Sequence, residues 1–440
     1  MLDAQTVFLI VFPFLLILIV LKIPIAFALA FAVVPVLILT PALSPVLLLQ
    51  RMMVQFGSFL LLAIPFFILA ANLMNAAKVT DRLMRLAQSL VGHFPGGLAC
   101  INVVLSKLFA PLSASANADV AASGSILIPA MTKEGYDVNF TVAVTACSAV
   151  IVAIIPPSII MVVWGGTLNV SVGGLFLAGV VPGLLIGFMQ IGMCVLYAIK
   201  RKYPRKSTFS LREVWNSFRS AIPDLMMPII IFGGIVGGFV TPTEAGLIAV
   251  LYAMFLGMVV YRTVTAKIFI QQLLKTMRMA SIVLFTVGAA AIYAWVISFF
   301  RIPAFLLSTI SDLTTNPQIM LLIIIGVFIV VGLFIDAVPA IIIFAPLLRP
   351  LAEAVGIHPL HFAIIGCISL GFGLVTPPCG LSLLIASKIG KIPMLQPMKE
   401  VLSFLSVMFL ILLLVVFFPN IALFLPRLVM PELFGIFPLP

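Results

Sequence analysis

Ile154-Ile155-Pro156-Pro157-Ser158 and Val375-Thr376-Pro377-Pro378-Cys379-Gly380 each interrupt a long apolar run. A proline lacks the backbone N–H that closes a helical hydrogen bond, and its ring clashes with the preceding turn. Two in succession unwind a helix locally. Inside a bilayer, unwound backbone is tolerated only where protein or a polar cavity satisfies it. A pair of interrupted apolar segments at matching places in two halves of a chain therefore points to a binding site near mid-membrane. A simple proline kink accounts for either break alone but not for the pairing.

The surrounding composition fixes the solvent. Of 440 residues, 63% are hydrophobic and 8% charged, with mean hydropathy +1.33. Apolar runs of spanning length recur from Val7 to Phe418, which describes an all-α polytopic membrane protein. The short alternating segments of a β-barrel are absent. The net charge of +11 reads as cytoplasmic loops facing the bilayer surface and not as nucleic-acid binding. Its densest part is Lys200, Arg201, Lys202, Arg205, Lys206, Arg212 and Arg219 against the single acid Glu213, which puts that stretch in the cytoplasm as a loop. Five scattered cysteines without a CxxC, and three histidines, support neither a disulfide frame nor a transition-metal site. Met1-Leu2-Asp3 lacks a basic n-region, so the first apolar run reads as a retained span.

Spans are expected at 6–20, 24–39, 56–74, 174–199, 226–240, 247–260, 282–300 and 404–418. Residues 78–90 place Leu83, Leu86 and Leu90 at helical spacing among charges, as in an amphipathic helix lying in the interface. A second such helix is expected around 268–274, flanked by Lys267, Lys275 and Arg278. Residues 96–112 lead into the polar Ser113-Ala114-Ser115-Ala116-Asn117-Ala118-Asp119 and return through Ile126–Met131, a re-entrant hairpin with a polar tip. Residues 319–348 repeat the pattern around Asp336.

This echo has a register. Gly135 precedes Pro156, and Gly356 precedes Pro377, by the same 21 positions, an offset of 221 shared by Ser148 and Ser369. Leu108-Phe109 matches Leu333-Phe334 at 225, which implies a small gap upstream. Two repeats, each a re-entrant hairpin followed by a Pro-Pro-broken helix, build transporters whose broken helices meet at a central site. Inverted repeats are the usual arrangement when hairpins enter from opposite sides.

Such a carrier needs oxygen ligands for a coupling ion. Alkali cations prefer carbonyls, hydroxyls and carboxylates. The first set comprises Ser113, Ser115 and Asn117 at the tip, with carbonyls around Val152, Ile155 and Pro157 at the break. The second comprises Gly332 and Asp336 at the tip, with Gly373, Thr376 and Pro377 at the break. Neutral oxygens at each tip make Na⁺ the first choice and H⁺ the second; no other cofactor is expected. Asp119 and Asp336 are intramembrane acids, costly and functional by default, although Asp119 also suits a helix cap. Thr376-Pro377 reads locally as an N-cap and first helical residue. Substrate contacts are expected from Ser115, Asp119, Ser158, Trp164, Asp336 and Arg301, against the plainer readings that Arg301 snorkels to the interface and Trp164 packs. Thr241-Pro242-Thr243-Glu244 has the form of a capping box, Thr241 as N-cap and Glu244 at N3, with Glu244 also open to pairing as a buried acid.

Several stretches resemble the large membrane subunit (M subunit, DctM-like) of tripartite ATP-independent periplasmic (TRAP) transporters: Ala118 to Met131 followed by Gly135-Tyr136, Ile155-Pro156-Pro157-Ser158-Ile159, Phe176 to Gly183, Thr241-Pro242-Thr243-Glu244-Ala245, Gly356 to Phe362, and Thr376-Pro377-Pro378. The match is in the right order over nearly the whole chain. The resemblance implies a carrier in a bacterial inner membrane that works with a small four-helix (Q-type) membrane subunit. It would receive its substrate from a periplasmic (P-type) binding protein. The family imports organic anions such as C4-dicarboxylates, 2-keto acids or sialic acid, driven by Na⁺, by an elevator mechanism. On that reading 1–95 holds scaffold spans and an interfacial arm, 96–200 the first transport half with its broken helix at 140–168, and 201–222 the basic loop. Residues 223–300 hold scaffold spans and the second interfacial helix, 301–395 the second transport half with its break at 361–386, and 396–440 a final span and tail. The sequence departs from the family at Val152-Ala153, often Gly-Pro, at Cys379, commonly valine, and at His358, often Asp. No small-subunit sequence is fused, so that partner is expected as a separate chain. The competing readings are a stand-alone ion-coupled dicarboxylate or citrate carrier and a polytopic membrane enzyme. The dispersed histidines and the repeat disfavour the enzyme, and no GxxxxGK[ST] segment supports an ATPase.

Overall fold

The structure is a computed structural model. It describes residues 3–40, 43–113, 115–204, 209–311, 314, 316–378 and 380–435. Among these the regular structure is entirely helical. The N-terminal part comprises α1 (Ala4–Val20), α2 (Ile25–Ala32), α3 (Val34–Leu39), α4 (Pro45–Phe56), α5 (Ala63–Ala76) and the amphipathic α6 (Val79–Val91). Next come α7 (Gly97–Ser113), α8 (Ala116–Lys133), α9 (Val138–Ala149), α10 (Ile159–Leu168) and α11 (Val172–Arg201). Then follow α12 (Leu211–Val236), α13 (Pro242–Met254) and α14 (Ala266–Phe299). The rest is α15 (Ile302–Ser311), α16 (Pro317–Phe334), α17 (Ala337–Ala354), α18 (Pro359–Gly373), α19 (Leu381–Gly390), α20 (Met398–Phe417) and α21 (Asn420–Val429). Eight helices among the described residues are long and apolar enough to cross a membrane.

Local chemistry explains several boundaries, and some differ from the sequence reading. The 24–39 run is split into α2 and α3 just before Pro35. No proline or glycine lies between Ala266 and Thr286, so the expected interfacial helix and the following span fuse into the single 34-residue α14. Within the basic segment Arg205 and Lys206 lie outside the described residues, and part of the rest is helical. Ser210 caps Glu213 N–H and starts α12 at Leu211, so Arg212 and Arg219 lie on a helix. The last span, α20, ends at Phe417, and the tail beyond Pro419 forms the short helix α21.

The hairpin register is 221, not 225. Helix α8 runs 116–133 and α17 runs 337–354, and both pairs of ends lie 221 apart. Their N-caps, Ser115 and Asp336, share that spacing, as do Asp137 and His358, the N-caps of α9 and α18. Leu108-Phe109 thus has no structural tie to Leu333-Phe334, and no gap separates the two stretches. His358 does the capping work of Asp137, since its Nδ1 accepts from Leu360 N–H at 3.2 Å.

Two groups of helices pack within themselves. In one, α5, α13 and α14 form the centre, with α2 and α4 against α14 and with α6 and α13 against α12. In the other, α7, α8, α9 and α19 interlock, and α16, α17, α18 and α10 pack beside them. Buried polar pairs fix the packing. Asn72 on α5 donates to Thr276 on α14 at 3.0 Å, and Asn102 on α7 donates to Thr145 on α9 at 2.7 Å. Arg201 at the end of α11 pairs with Glu400 on α20 at 2.8 Å. Helix α6 is tied down by charge: Arg82 Nε meets Asp224 Oδ2 on α12 at 2.7 Å, and Asp224 is fully buried. The Tyr261 hydroxyl donates to the other carboxylate oxygen at 2.9 Å, and the guanidinium lies 3.5 Å from the Tyr261 ring centre.

Removing one partner of a buried ion pair strands the other charge, at about 3–5 kcal/mol. Arg82→Met is therefore expected to lower the Tm of the purified protein steeply. Arg82→Met with Asp224→Asn should recover part of the loss, because the stranded charge is gone. A single variant as stable as the double would remove this pair from the fold's supports.

Candidate functional site

The hairpin tips and the first break converge on one cavity of about 490 Å³. Three helices begin on its wall: α8 through Ala116, Asn117 and Ala118, α17 through Ala337 and Val338, and α10 through Ile159 and Ile160. The first N–H groups of a helix have no partner within it, and they carry the positive end of its dipole. Three such ends around one cavity favour an anion. The polar side chains on the wall are Ser115, Asn117, Asp336 and Lys275, the last from α14, and the remainder is apolar, including Ile64 and Ile68 of α5.

The first candidate ion set is partly assembled. Ser115 caps α8, its hydroxyl accepting from Ala118 N–H at 3.5 Å. Asn117 Oδ1 accepts from Ser382 of α19 at 2.9 Å, joining the first hairpin to the segment after the second break. Val152, in the 3₁₀ turn Val150–Ala153, also lines the cavity. Ile155 does not join them: with Pro156 it lines a separate apolar pocket against Val180 and Pro228. Pro157 is buried in the break. The backbone of Ser113 ends α7, whereas its side chain lies outside the described residues.

The second set is tighter. Gly332, Asp336 and Gly373 surround a cavity of about 20 Å³ together with Leu370 and Gly380, enough for one small ion or water. Two glycines make it possible. A Cβ on Gly373 would overlap the Gly332 carbonyl, so α16 and α18 approach backbone to backbone here. Asp336 faces both cavities and caps α17, accepting from Ala337 N–H at 2.8 Å. Thr376 is not the N-cap expected of it. Helix α19 starts later, at Leu381, capped by Gly380 at φ +31°, and the Thr376 hydroxyl points back to Phe372 O at 2.6 Å. Neither Thr376 nor Pro377 is on the wall of the small cavity, and Cys379 lies outside the described residues.

Four expected substrate contacts fall elsewhere. Asp119 is wholly buried one turn into α8, off the wall of the central cavity, and neither carboxylate oxygen has a hydrogen-bond partner among the described residues. The cap of α8 is Ser115, so Asp119 does not serve as one. Ser158 is buried and donates to Ala153 O at 3.1 Å, holding the break closed. Trp164 is fully buried between Phe328 and Phe362, with ring centres 5.8 and 5.2 Å away. Arg301 is exposed at the other end of α14, with φ +54°. Thr241 and Glu244 form the reciprocal capping box of α13, at 2.7 Å from Thr241 N–H to Glu244 Oε2. Glu244 is exposed and pairs with no cation among the described residues. The residue the sequence reading missed is Lys275. Read as a cation flanking a short interfacial helix around 268–274, it falls outside every candidate set. Its spacing to Met279 and Ile282, four and seven residues on, was the available signal, since all three line the cavity.

The profile of the family described as "Tripartite ATP-independent periplasmic transporter, DctM component" matches residues 12–421. The chain is 38% identical over 379 residues to the sialic acid TRAP transporter large permease protein SiaM of Vibrio cholerae, covering 86% of this chain and 89% of that one. It is 37% identical over 369 residues to the C4-dicarboxylate large permease protein DctM of Pseudomonas aeruginosa, at 84% and 86% coverage. It is 35% identical over 364 residues to the 2,3-diketo-L-gulonate large permease protein YiaN of Escherichia coli, at 83% and 86%. The chain belongs to this family of TRAP transporter large permease proteins, which are transport proteins and not enzymes.

The packing role of Trp164 has a direct test. A Cβ on Gly366 would run into the indole ring, and overpacking of this kind costs about 1–3 kcal/mol. Gly366→Ala should lower Tm, and Trp164→Phe should restore part of it in the double variant. Trp164→Phe alone should leave ligand affinity unchanged, and a changed affinity would return Trp164 to the substrate path.

Proposed function

We propose that this large permease subunit imports an organic anion, a carboxylate of the C4-dicarboxylate, keto-acid or sialic-acid type, coupled to Na⁺. The convergence of three helix N-termini on one cavity between the two helix groups carries the reading. Positive dipole ends suit a carboxylate, and the small space at Gly332, Asp336 and Gly373 suits a dehydrated cation. Ser115, Asn117 and the carbonyl of Val152 form the other cation site, at the first tip.

The movement follows from the packing. The group α7–α10 with α16–α19 carries both tips and both breaks and moves as the elevator, while α5, α13 and α14 belong to the static scaffold. The shared 221-residue spacing of helix ends supports a pair of repeats, inverted so that each hairpin enters from its own side. The chain lies in a bacterial inner membrane with the basic 200–219 segment in the cytoplasm. It works with a small four-helix subunit and takes its substrate from a periplasmic binding protein.

Reconstitution in proteoliposomes tests this, with succinate, N-acetylneuraminate and 2,3-diketo-L-gulonate as probes. Uptake of at least one is expected only with the small subunit, the binding protein and an inward Na⁺ gradient together. Ser115→Ala and Asp336→Ala should each reduce that uptake more than tenfold without loss of membrane insertion. Uptake by this chain alone would replace the tripartite reading with a stand-alone carrier. Uptake indifferent to Na⁺ would remove the coupling, and normal rates in both variants would remove the two side chains from the sites.

A further inference from the structure

The central cavity holds two charged side chains on its wall, Asp336 and Lys275, and they are differently committed. Asp336 caps α17 and also borders the small cavity. Lys275 has no ion pair within 4 Å among the described residues. Its side chain is exposed to the cavity.

Its position is built, not incidental. Lys275, Met279 and Ile282 form one stripe of α14 along the wall. The neighbouring Thr276 is buried and receives the Asn72 hydrogen bond from α5 at 3.0 Å. That bond fixes the rotation of α14 about its axis and turns Lys275 toward the cavity. Lys267 and Arg278, on the same helix, are not on the wall. The hairpin tips share this cavity with α14, since Ser115, Asn117 and Asp336 line the same space. An anion there meets helix N-termini on the tip side and one mobile ammonium on the α14 side.

We propose that Lys275 is the counter-charge for the carboxylate of the transported anion, so that the α14 wall contributes directly to substrate selection. This rests on the reading of the protein as an anion carrier, and it adds a specific residue and a specific substrate group. An ammonium is a compact charge on a flexible stem. It follows a carboxylate through small displacements of the tips and tolerates different bodies attached to that carboxylate. The body then meets the apolar wall of Ile64, Ile68 and Met279. A charge-assisted hydrogen bond is about twice as strong as a neutral one, so the preference for acid over neutral analogue resides largely here.

The test is a cycle between the charge on the protein and the charge on the ligand. The chain is purified with its small subunit as wild type, Lys275→Gln, Lys275→Met and Lys275→Arg. Binding of succinate, N-acetylneuraminate and 2,3-diketo-L-gulonate is measured at fixed Na⁺ and ionic strength, alongside the amide of whichever acid binds. Lys275→Gln and Lys275→Met should weaken the acid about tenfold or more, whereas Lys275→Arg should stay within about threefold of wild type. The amide should bind wild type and Lys275→Gln alike. Unchanged acid affinity in both neutral variants would overturn the proposal. So would equal losses for acid and amide, the mark of a merely structural lysine. A wild-type complex that binds none of the acids would defeat the anion-carrier reading itself, a result distinct from either of those.

Discussion

Within a bilayer every backbone N–H and C=O must find a partner in the protein, and the rest of this structure depends on how two unwound segments meet that demand. At the first break the Ser158 hydroxyl covers Ala153 O, and Ile155 N–H reaches Ile151 O at 2.9 Å. At the second, Thr376 covers Phe372 O, and Ser382 N–H returns to Leu374 O at 3.0 Å. The helices that resume, α10 and α19, then begin inside the protein, where their N-termini need company. The first faces the central cavity and the second borders the small one. The breaks thus create polar sites because their own backbone cannot be left dry.

Glycine sets how close the neighbours come. A Cβ at Gly179 would strike the Ile154 carbonyl at the first break, and one at Gly373 would strike Gly332 at the second. Both contacts are between backbones, so no side-chain rearrangement relieves them. The ion-sized space beside Asp336 is therefore bounded by main chain on two sides. Such walls hold their geometry better than a ring of flexible side chains, a useful property where ion size decides binding.

Much of this was legible in the sequence because the signals are local. Proline pairs mark the breaks, Ser115 and Asp336 stand where apolar runs reverse, and Thr241 and Glu244 spell their cap. What stayed hidden depends on which way a helix faces. Asp119 has the character of a site residue, yet it lies one turn from Ser115 on the inner side of α8. Trp164 follows the break closely but turns into an aromatic cluster. The reverse error occurred on α14, where charges among apolar residues suggested an interfacial helix and a new start. Nothing in 266–286 ends a helix, and the continuous α14 carries Lys275 to the cavity. The false 225-residue register has the same origin, since a dipeptide match carries no information about helix phase.

The two tips are related by position but not by charge. Ser115 and Asp336 hold equivalent N-cap places 221 residues apart, and the first carries a hydroxyl where the second carries a carboxyl group. If each tip holds one Na⁺ as proposed, the cation beside Asp336 is neutralised by its own ligand, whereas the one beside Ser115 keeps its charge. The uncompensated positive charge then belongs to the first tip, where the start of α8 adds its dipole. An anion in the central cavity then interacts with that tip most strongly and, as proposed, with Lys275 on the same wall. On that proposal, coupling of substrate to ion would follow from this asymmetry: a filled first site would strengthen substrate binding, and the bound anion would hold the ion more firmly, as reciprocal linkage requires.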